Sequence, residues 1–139
     1  MTHSASRRIK VKQIYETSHN VRTCHLDPSI RCLAELHTSR LNRCEQCSHF
    51  CRDTATSLGI SAQKLDALSD WRQSDQFNER ERAALAWCER FDPAHRSTGT
   101  SLTMLNSFSA HELAELTLTV EMMSALNRMT NSLGAANDD

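Results

Sequence analysis

The sequence contains little glycine, little proline and few aromatic residues: three glycines, two prolines and 5% aromatics in 139 residues. Glycine and proline mark turns and interrupt helices, so their scarcity favours an all-α fold over a strand-rich one. No apolar run is long enough to cross a membrane. Sixteen Lys and Arg are balanced by seventeen Asp and Glu, so no positive excess favours nucleic acid or a membrane surface as a partner.

The N-terminal segment MTHSASRRIKVKQIYE contains two arginines but lacks the apolar run of a signal peptide, so a soluble, cytoplasmic protein is expected. A chain of 139 residues can bury one core and is too short for two ordinary domains. We expect a single domain over residues 1–139, with residues 1–8 and 133–139 flexible.

About six helices are expected. The first covers roughly residues 9–22, and the second begins at Asp27 and the following proline, a favourable N-cap and first helical residue. The third begins near Asn42 or Arg43 and ends at Gly59, and a short fourth helix follows. The last two are opened by the pairs Asn78/Glu81 and Ser109/Glu112, both typical of a capping box, and the final helix covers roughly residues 110–131.

Cysteine, in contrast, is abundant: the chain has six, and three of them lie in the ten residues NRCEQCSHFC. Structural disulfides are rare in the cytosol, so clustered cysteines indicate redox chemistry or metal binding. At 100° per residue, Cys44, Cys47 and Cys51 would fall within about 60° on one helix face. A purely packing role is less favoured for these three. Cys24 and Cys88 are isolated in sequence and are predicted to be structural, and His49 points away from the cysteine face.

The C-x-x-C pair has the spacing of a redox-active dithiol. Near a helix N-terminus, unpaired N–H groups and the helix dipole stabilise a thiolate, which predicts a lowered pKa for Cys44. After one thiolate has attacked an oxidant or a disulfide, Cys47, one turn away, can close a disulfide ring and release the product.

From Leu26 onward the sequence resembles the carboxymuconolactone decarboxylase superfamily, in particular its AhpD-like alkylhydroperoxidase branch. The similar segments are LDP at 26–28, Asn42 before the Cys44-x-x-Cys47 pair, Gly59, LDALSDWRQSDQFNERERAALAW, and ELAELTLTVEMMSALNRM near the C-terminus. The resemblance implies an all-helical, oligomeric protein in which the C-x-x-C pair is a peroxidase or disulfide-exchange centre. It also implies that Cys47 reacts with peroxide, that Cys44 is its resolving partner, and that a dihydrolipoyl or other dithiol partner supplies electrons.

Two positions depart from the family pattern. In the family, a histidine four residues after the second cysteine and a glutamate twelve residues before the first form a proton relay. This chain has Cys51 and Cys32 there. Thiols with pKa values of about 8.5 relay protons poorly at neutral pH. If both positions face the pair as in the family, Cys32, Cys44, Cys47 and Cys51 converge, which is the composition of a zinc, copper(I) or iron–sulfur site.

Two functions remain open from the sequence. The favoured one is a thiol oxidoreductase that acts on peroxides or disulfides without a cofactor, with Cys51 or Cys32 as an additional resolving thiol. The alternative is a four-cysteine metal-binding sensor or carrier. Decarboxylation is less favoured than either.

Glu35 or His37 could replace part of the relay, although a core-edge role is favoured for both. Trp71 and Trp87 are assigned to helix packing. A homo-oligomer is expected because apolar residues lie on several sides of the last helix.

Overall fold

The computed structural model describes residues 25–92 and 106–135, together with the isolated positions 13 and 94. These residues form five α-helices, one 3-10 helix and no strand, so the predicted all-α fold is confirmed. The elements are α1 (Pro28–Leu41), α2 (Glu45–Ser57), α3 (Ala62–Asp66), the 3-10 helix Leu68–Asp70, α4 (Glu79–Arg90) and α5 (Ala110–Ala135). The helix predicted over residues 9–22 falls outside the described residues, apart from position 13, and Cys24 lies outside them as well. Within the described part, no helix has the length and apolarity needed to cross a membrane.

Three helices begin where short-range capping interactions place them. The Asp27 carboxylate accepts a hydrogen bond from a backbone N–H of the first turn of α1. Asn78 and Glu81 form the predicted capping box at the start of α4, each side chain accepting a hydrogen bond from the other residue's backbone N–H. Ser109 and Glu112 do the same before α5. These starts were predictable because both partners lie within three residues of each other.

The start of α2 differs from its prediction. The helix begins at Glu45, after Asn42 has ended α1 and Arg43 has taken a left-handed backbone conformation with φ 54°. Cys44 follows in extended conformation as the N-cap residue, rather than within the helix. The far end agrees with the prediction, because Gly59 adopts φ 92° just after α2, and glycine adopts such a conformation at little cost.

Helix α1 is the centre of the fold and packs against α2, α4 and α5. Every residue from Ile30 to Ser39 is buried, including five that carry polar or charged side chains. The core has two clusters of buried residues on different sides of this helix. The first contains Cys32, Leu33, Leu36, Cys44, Cys47, Cys51, Leu85 and Met123, and the second contains Leu26, Ile30, Ala34, Ala84, Cys88, Leu116 and Val120.

A buried carboxylate joins α1 to α4 and to the segment after the 3-10 helix. Glu89 accepts hydrogen bonds from His37 at 2.8 Å, from the Trp71 indole at 2.8 Å and from Arg72 at 2.7 Å. Burial would raise the pKa of Glu89, but the hydrogen bonds from His37, Trp71 and Arg72 outweigh it and lower the pKa to about 2. His37 is thus tied to Glu89, and Trp71 packs in the core as expected.

The carboxylate of Glu89 predicts how stability depends on pH. Its pKa is lower in the folded chain than in the unfolded one, so its contribution is complete above the unfolded value of about 4.5 and is lost as the pH falls toward about 2. We expect Glu89→Gln to destabilise the protein by about 1–3 kcal/mol at neutral pH, because three donors lose a charged acceptor. The loss should be smaller near about pH 3, between the two pKa values, where the carboxylate is already protonated in the unfolded chain.

Urea unfolding at neutral and acidic pH measures both effects. Glu121→Gln, an exposed change on α5, is the matched control and should alter stability little. An equal loss for Glu89→Gln at both pH values would contradict the assigned charge of Glu89.

Candidate active site

The C-x-x-C pair lies at the junction between α1 and α2. Cys44 is the N-cap of α2 and Cys47 belongs to its first turn, and the Cys47 backbone N–H donates a hydrogen bond to the Cys44 Sγ at 3.3 Å. Both side chains are buried, with exposed fractions of 1% and 0%. The predicted proximity of the two thiols is therefore present, although it arises from a capping interaction and not from two positions on one helix face.

The electrostatics of the pair favour a thiolate on the second cysteine. A hydrogen bond from the Cys44 thiol lowers the pKa of Cys47 to about 7, even though burial opposes ionisation. The same hydrogen bond and burial raise the pKa of Cys44 above its usual range. The helix-terminus prediction of a lowered pKa at Cys44 is therefore wrong, because the two thiols do not ionise independently and Cys47 has more donors around it.

Those further donors come from α5, and the sequence interpretation missed them. The Thr130 hydroxyl and the Asn127 amide both face Cys47 and lower its pKa. Asn127 is fully buried, and the buried Thr130 hydroxyl has no conventional hydrogen-bond partner among the described residues. The signal was present, because both residues continue the apolar stripe of α5 at the same three- and four-residue spacing, after Leu116, Val120 and Met123. Polar residues in a core stripe indicate a polar feature inside the core.

Cys51 lies one turn beyond Cys47, at the position where the family pattern has histidine. Its Sγ is 3.7 Å from the Ser39 Oγ, which accepts a hydrogen bond from the Asn127 amide at 3.1 Å. Asn127 in turn accepts a hydrogen bond from the Asn42 amide at 3.0 Å. The sulfur of Cys51 thus belongs to a chain of hydroxyl and amide groups. Hydroxyl and amide groups do not ionise near neutral pH. This series of hydrogen bonds therefore orients side chains without acting as an acid or base.

The alternative prediction was a metal site formed by four cysteines. Cys32 is fully buried on α1, in the same core cluster as Cys44, Cys47 and Cys51. Nevertheless, in residues 25–92 and 106–135 no three Cys, His, Asp or Glu side chains are placed so that they could hold a metal ion. The prediction placed Cys44 on the helix face of the other two, whereas its extended backbone removes it from the helical spacing.

The other candidate residues lie outside the pair. His49 is on the surface, where its side chain is 72% exposed and lies 3.4 Å from the Asp53 carboxylate. Cys88 is in the second core cluster, and burial raises its pKa to about 12. Glu35 is fully buried on α1. Trp87 joins α4 to α5 by donating a hydrogen bond to a threonine hydroxyl at 2.9 Å, which agrees with its predicted packing role.

A cavity of about 520 Å³ opens beside the pair. Cys44 lies in its wall and Cys47 does not. The remaining lining residues are Arg40, Arg43, Glu45, Ser48, His49 and Arg52. The cavity therefore borders the dithiol on the side of Cys44, and its wall is rich in arginine.

Comparison with known proteins agrees with this architecture. The profile of the carboxymuconolactone decarboxylase family matches residues 12–90, and the chain belongs to that family. The uncharacterized protein YnjA of Escherichia coli K12 is 28% identical over 110 residues, which are 78% of this chain and 60% of YnjA. This chain thus spans less than two thirds of the length of that relative.

A solved structure has the same fold. It is the crystal structure of Atu0492 of Agrobacterium tumefaciens, a protein of unknown function suggested to be the antioxidant defence protein AhpD. The two structures superpose with a TM-score of 0.72 at 20% sequence identity, over 96% of this chain and 89% of Atu0492. The family and the fold that the sequence resemblance implied are confirmed.

The lowered pKa of Cys47 can be tested by alkylation with iodoacetamide across a range of pH. We expect the rate at Cys47, followed by peptide mass spectrometry, to rise with a midpoint near pH 7, because only the thiolate reacts. Thr130→Val removes one hydroxyl donor without changing side-chain volume greatly and should raise that midpoint by up to about one unit.

Thr119→Val is the matched control, since Thr119 is a buried threonine of α5 that lies three turns before Thr130. It should leave the midpoint in place. A midpoint near that of an ordinary thiol in the wild-type protein would contradict the assignment of the thiolate to Cys47.

Proposed function

We propose that this protein is a thiol oxidoreductase that reduces peroxides or disulfides with the Cys44/Cys47 dithiol. The observation that carries the proposal is the pair of buried cysteines at the start of α2, where the Cys47 backbone N–H donates to the Cys44 Sγ and the Cys44 thiol lowers the pKa of Cys47 to about 7. A thiolate present at neutral pH is the nucleophile that such chemistry needs, and a second thiol within reach is what releases the product.

With a hydroperoxide, the Cys47 thiolate attacks the outer oxygen and breaks the O–O bond. The alkoxide leaves and takes a proton, so that an alcohol and the sulfenic acid of Cys47 form. Cys44 then attacks the sulfenic sulfur, water leaves, and a Cys44–Cys47 disulfide remains. Two electrons pass from the dithiol to the peroxide. A dithiol partner of unspecified identity would return the enzyme to its reduced state.

The coupling between the two thiols gives the reaction an order. While Cys47 is a thiolate, its hydrogen bond and its negative charge keep the proton on Cys44. Once Cys47 has become a neutral sulfenic acid, that charge is gone and Cys44 ionises more readily. The resolving thiol is thus activated by the completion of the first step, and no separate base is required.

Cys51 and Cys32 extend the proposal. Cys51 follows Cys47 by one turn, and Cys32 lies in the same core cluster, so either could serve as an additional resolving thiol after a small backbone movement.

We also propose that the protein acts as a homo-oligomer. Leu118 and Met129 are exposed apolar residues of α5 and would lie at the subunit contact.

Cysteine substitutions test the proposal directly. Cys47→Ser should abolish turnover of cumene hydroperoxide, because serine does not ionise at neutral pH. Turnover is measured as the oxidation of dithiothreitol, which supplies the electrons. Helical content, measured by circular dichroism, should stay the same. When dithiothreitol is left out, Cys44→Ser should retain the sulfenic acid at Cys47, which dimedone labels, for longer than the wild-type protein does.

Cys88→Ser is the control, since Cys88 is also a buried free thiol but belongs to the second core cluster. It should keep full turnover. Turnover by Cys47→Ser at the wild-type rate would reject the proposed function.

A further inference from the structure

The cavity beside Cys44 carries more positive than negative charge. Its wall contains the three arginines Arg40, Arg43 and Arg52, whereas Glu45 is its one carboxylate. Glu45 is in the first turn of α2, where the helix dipole also offsets its charge. The volume of about 520 Å³ is within the range of small-molecule sites. A cavity of this kind favours a small ligand with negative charge.

Two of these arginines are held close together. Arg40 donates a hydrogen bond to the Leu65 carbonyl, and Arg52 pairs with Asp66 at 2.9 Å. Burial and the neighbouring Arg52 guanidinium both lower the pKa of Arg40, while Asp66 raises it. Two guanidinium groups that repel each other in one wall are both stabilised when an anion binds between them.

The third arginine, Arg43, has a strained backbone conformation. Arg43 adopts φ 54°, the left-handed conformation that few residues other than glycine adopt without strain. Its side chain is exposed at the cavity, directly before Cys44, and it forms no ion pair with any residue in the described part of the chain. Backbone strain of this kind is often found at functional sites. The guanidinium is therefore available to a ligand.

We propose that the substrate of the dithiol is a small molecule bearing a carboxylate, which Arg43, Arg40 and Arg52 bind while the reactive S–S or O–O bond lies at the Cys44 side of the cysteine pair. This inference rests on the proposed function, to which it adds the substrate class. Arginine is suited to the role because its planar guanidinium offers paired N–H donors to a carboxylate.

For a disulfide substrate, the Cys47 thiolate attacks one sulfur, the S–S bond breaks and one thiolate leaves with a proton. Cys44 then attacks the mixed disulfide at Cys47 and releases the second thiol. The substrate gains two electrons and two protons, and the Cys44–Cys47 disulfide forms. The carboxylates take no part in the chemistry and serve only to hold the substrate.

Three disulfides of similar size and different charge test the inference. They are 3,3′-dithiodipropionate, which is anionic, bis(2-hydroxyethyl) disulfide, which is neutral, and cystamine, which is cationic. The reduced protein is mixed with each in excess, and formation of the Cys44–Cys47 disulfide is followed by quenched alkylation and mass spectrometry. We expect the anionic compound to react about tenfold faster than the neutral one, the cationic compound to react most slowly, and the differences to shrink as salt is added.

Arg43 is the position at which to change the charge. Arg43→Gly removes the guanidinium and also relieves the left-handed backbone, so the protein should become more stable while the ratio of anionic to neutral rates falls about threefold or more. Because the fold is strengthened, a lower ratio cannot be attributed to unfolding. Arg43→Glu should reduce the ratio further. Arg90→Glu makes the same change of net charge at an exposed site outside the cavity wall and should leave the ratio as in the wild type.

The possible failures can be told apart. If the wild-type protein forms the Cys44–Cys47 disulfide equally fast with all three compounds, the carboxylate inference is overturned and the proposed function stands. If Arg90→Glu lowers the ratio as much as Arg43→Glu does, the preference comes from net charge and the cavity is not its source, which also overturns the inference. If none of the three compounds oxidises the pair, both the inference and the disulfide chemistry of the proposed function are overturned.

Discussion

The interaction between the Cys44 and Cys47 side chains, which lowers the pKa of Cys47 and raises that of Cys44, is the one on which the site depends. Two buried thiols that share one proton cannot both ionise, because the second charge would be added to the first in surroundings that solvate charge poorly. The reduced pair therefore carries at most one thiolate near neutral pH. The surrounding donors decide which cysteine carries the charge, and since Asn127 and Thr130 face Cys47, the charge is placed there.

This dependence connects the site to the whole fold. The pair stands between α1 and α2, but the groups that tune it belong to α5, at the other end of the described chain. Asn127 also joins Asn42, which ends α1, to Ser39, which contacts Cys51. A change in how α5 packs on α1 would therefore alter both the position of the turn that carries Cys44 and the pKa of Cys47. The chemistry of the dithiol is thus sensitive to packing at a distance along the sequence.

What could be predicted from the sequence follows from the range of the interactions involved. The starts of α1, α4 and α5 were predictable because a cap and its partner lie within three residues. The start of α2 was not, since nothing in the local sequence favours a left-handed Arg43, and the turn is fixed by packing between α1 and α2. The two cysteines of the pair were identified from their spacing. Which of the two has the lower pKa could not be predicted, because side chains of α5 lower the pKa of Cys47, and only the tertiary structure brings them near it.

The residues that replace the family's relay also limit what kind of acid–base chemistry the site can perform. With cysteine at positions 32 and 51, and with Cys51 beside Ser39, neither of these two positions supplies the carboxylate or the imidazole that the relay would use. Proton transfer then falls to the two thiols themselves, and the ionisation of Cys47 sets the response of the first step to pH. A relay would have added a second ionisation near neutrality. Without a relay to activate the nucleophile, positioning of the substrate contributes more to the reaction rate. The arginines of the cavity wall can position it.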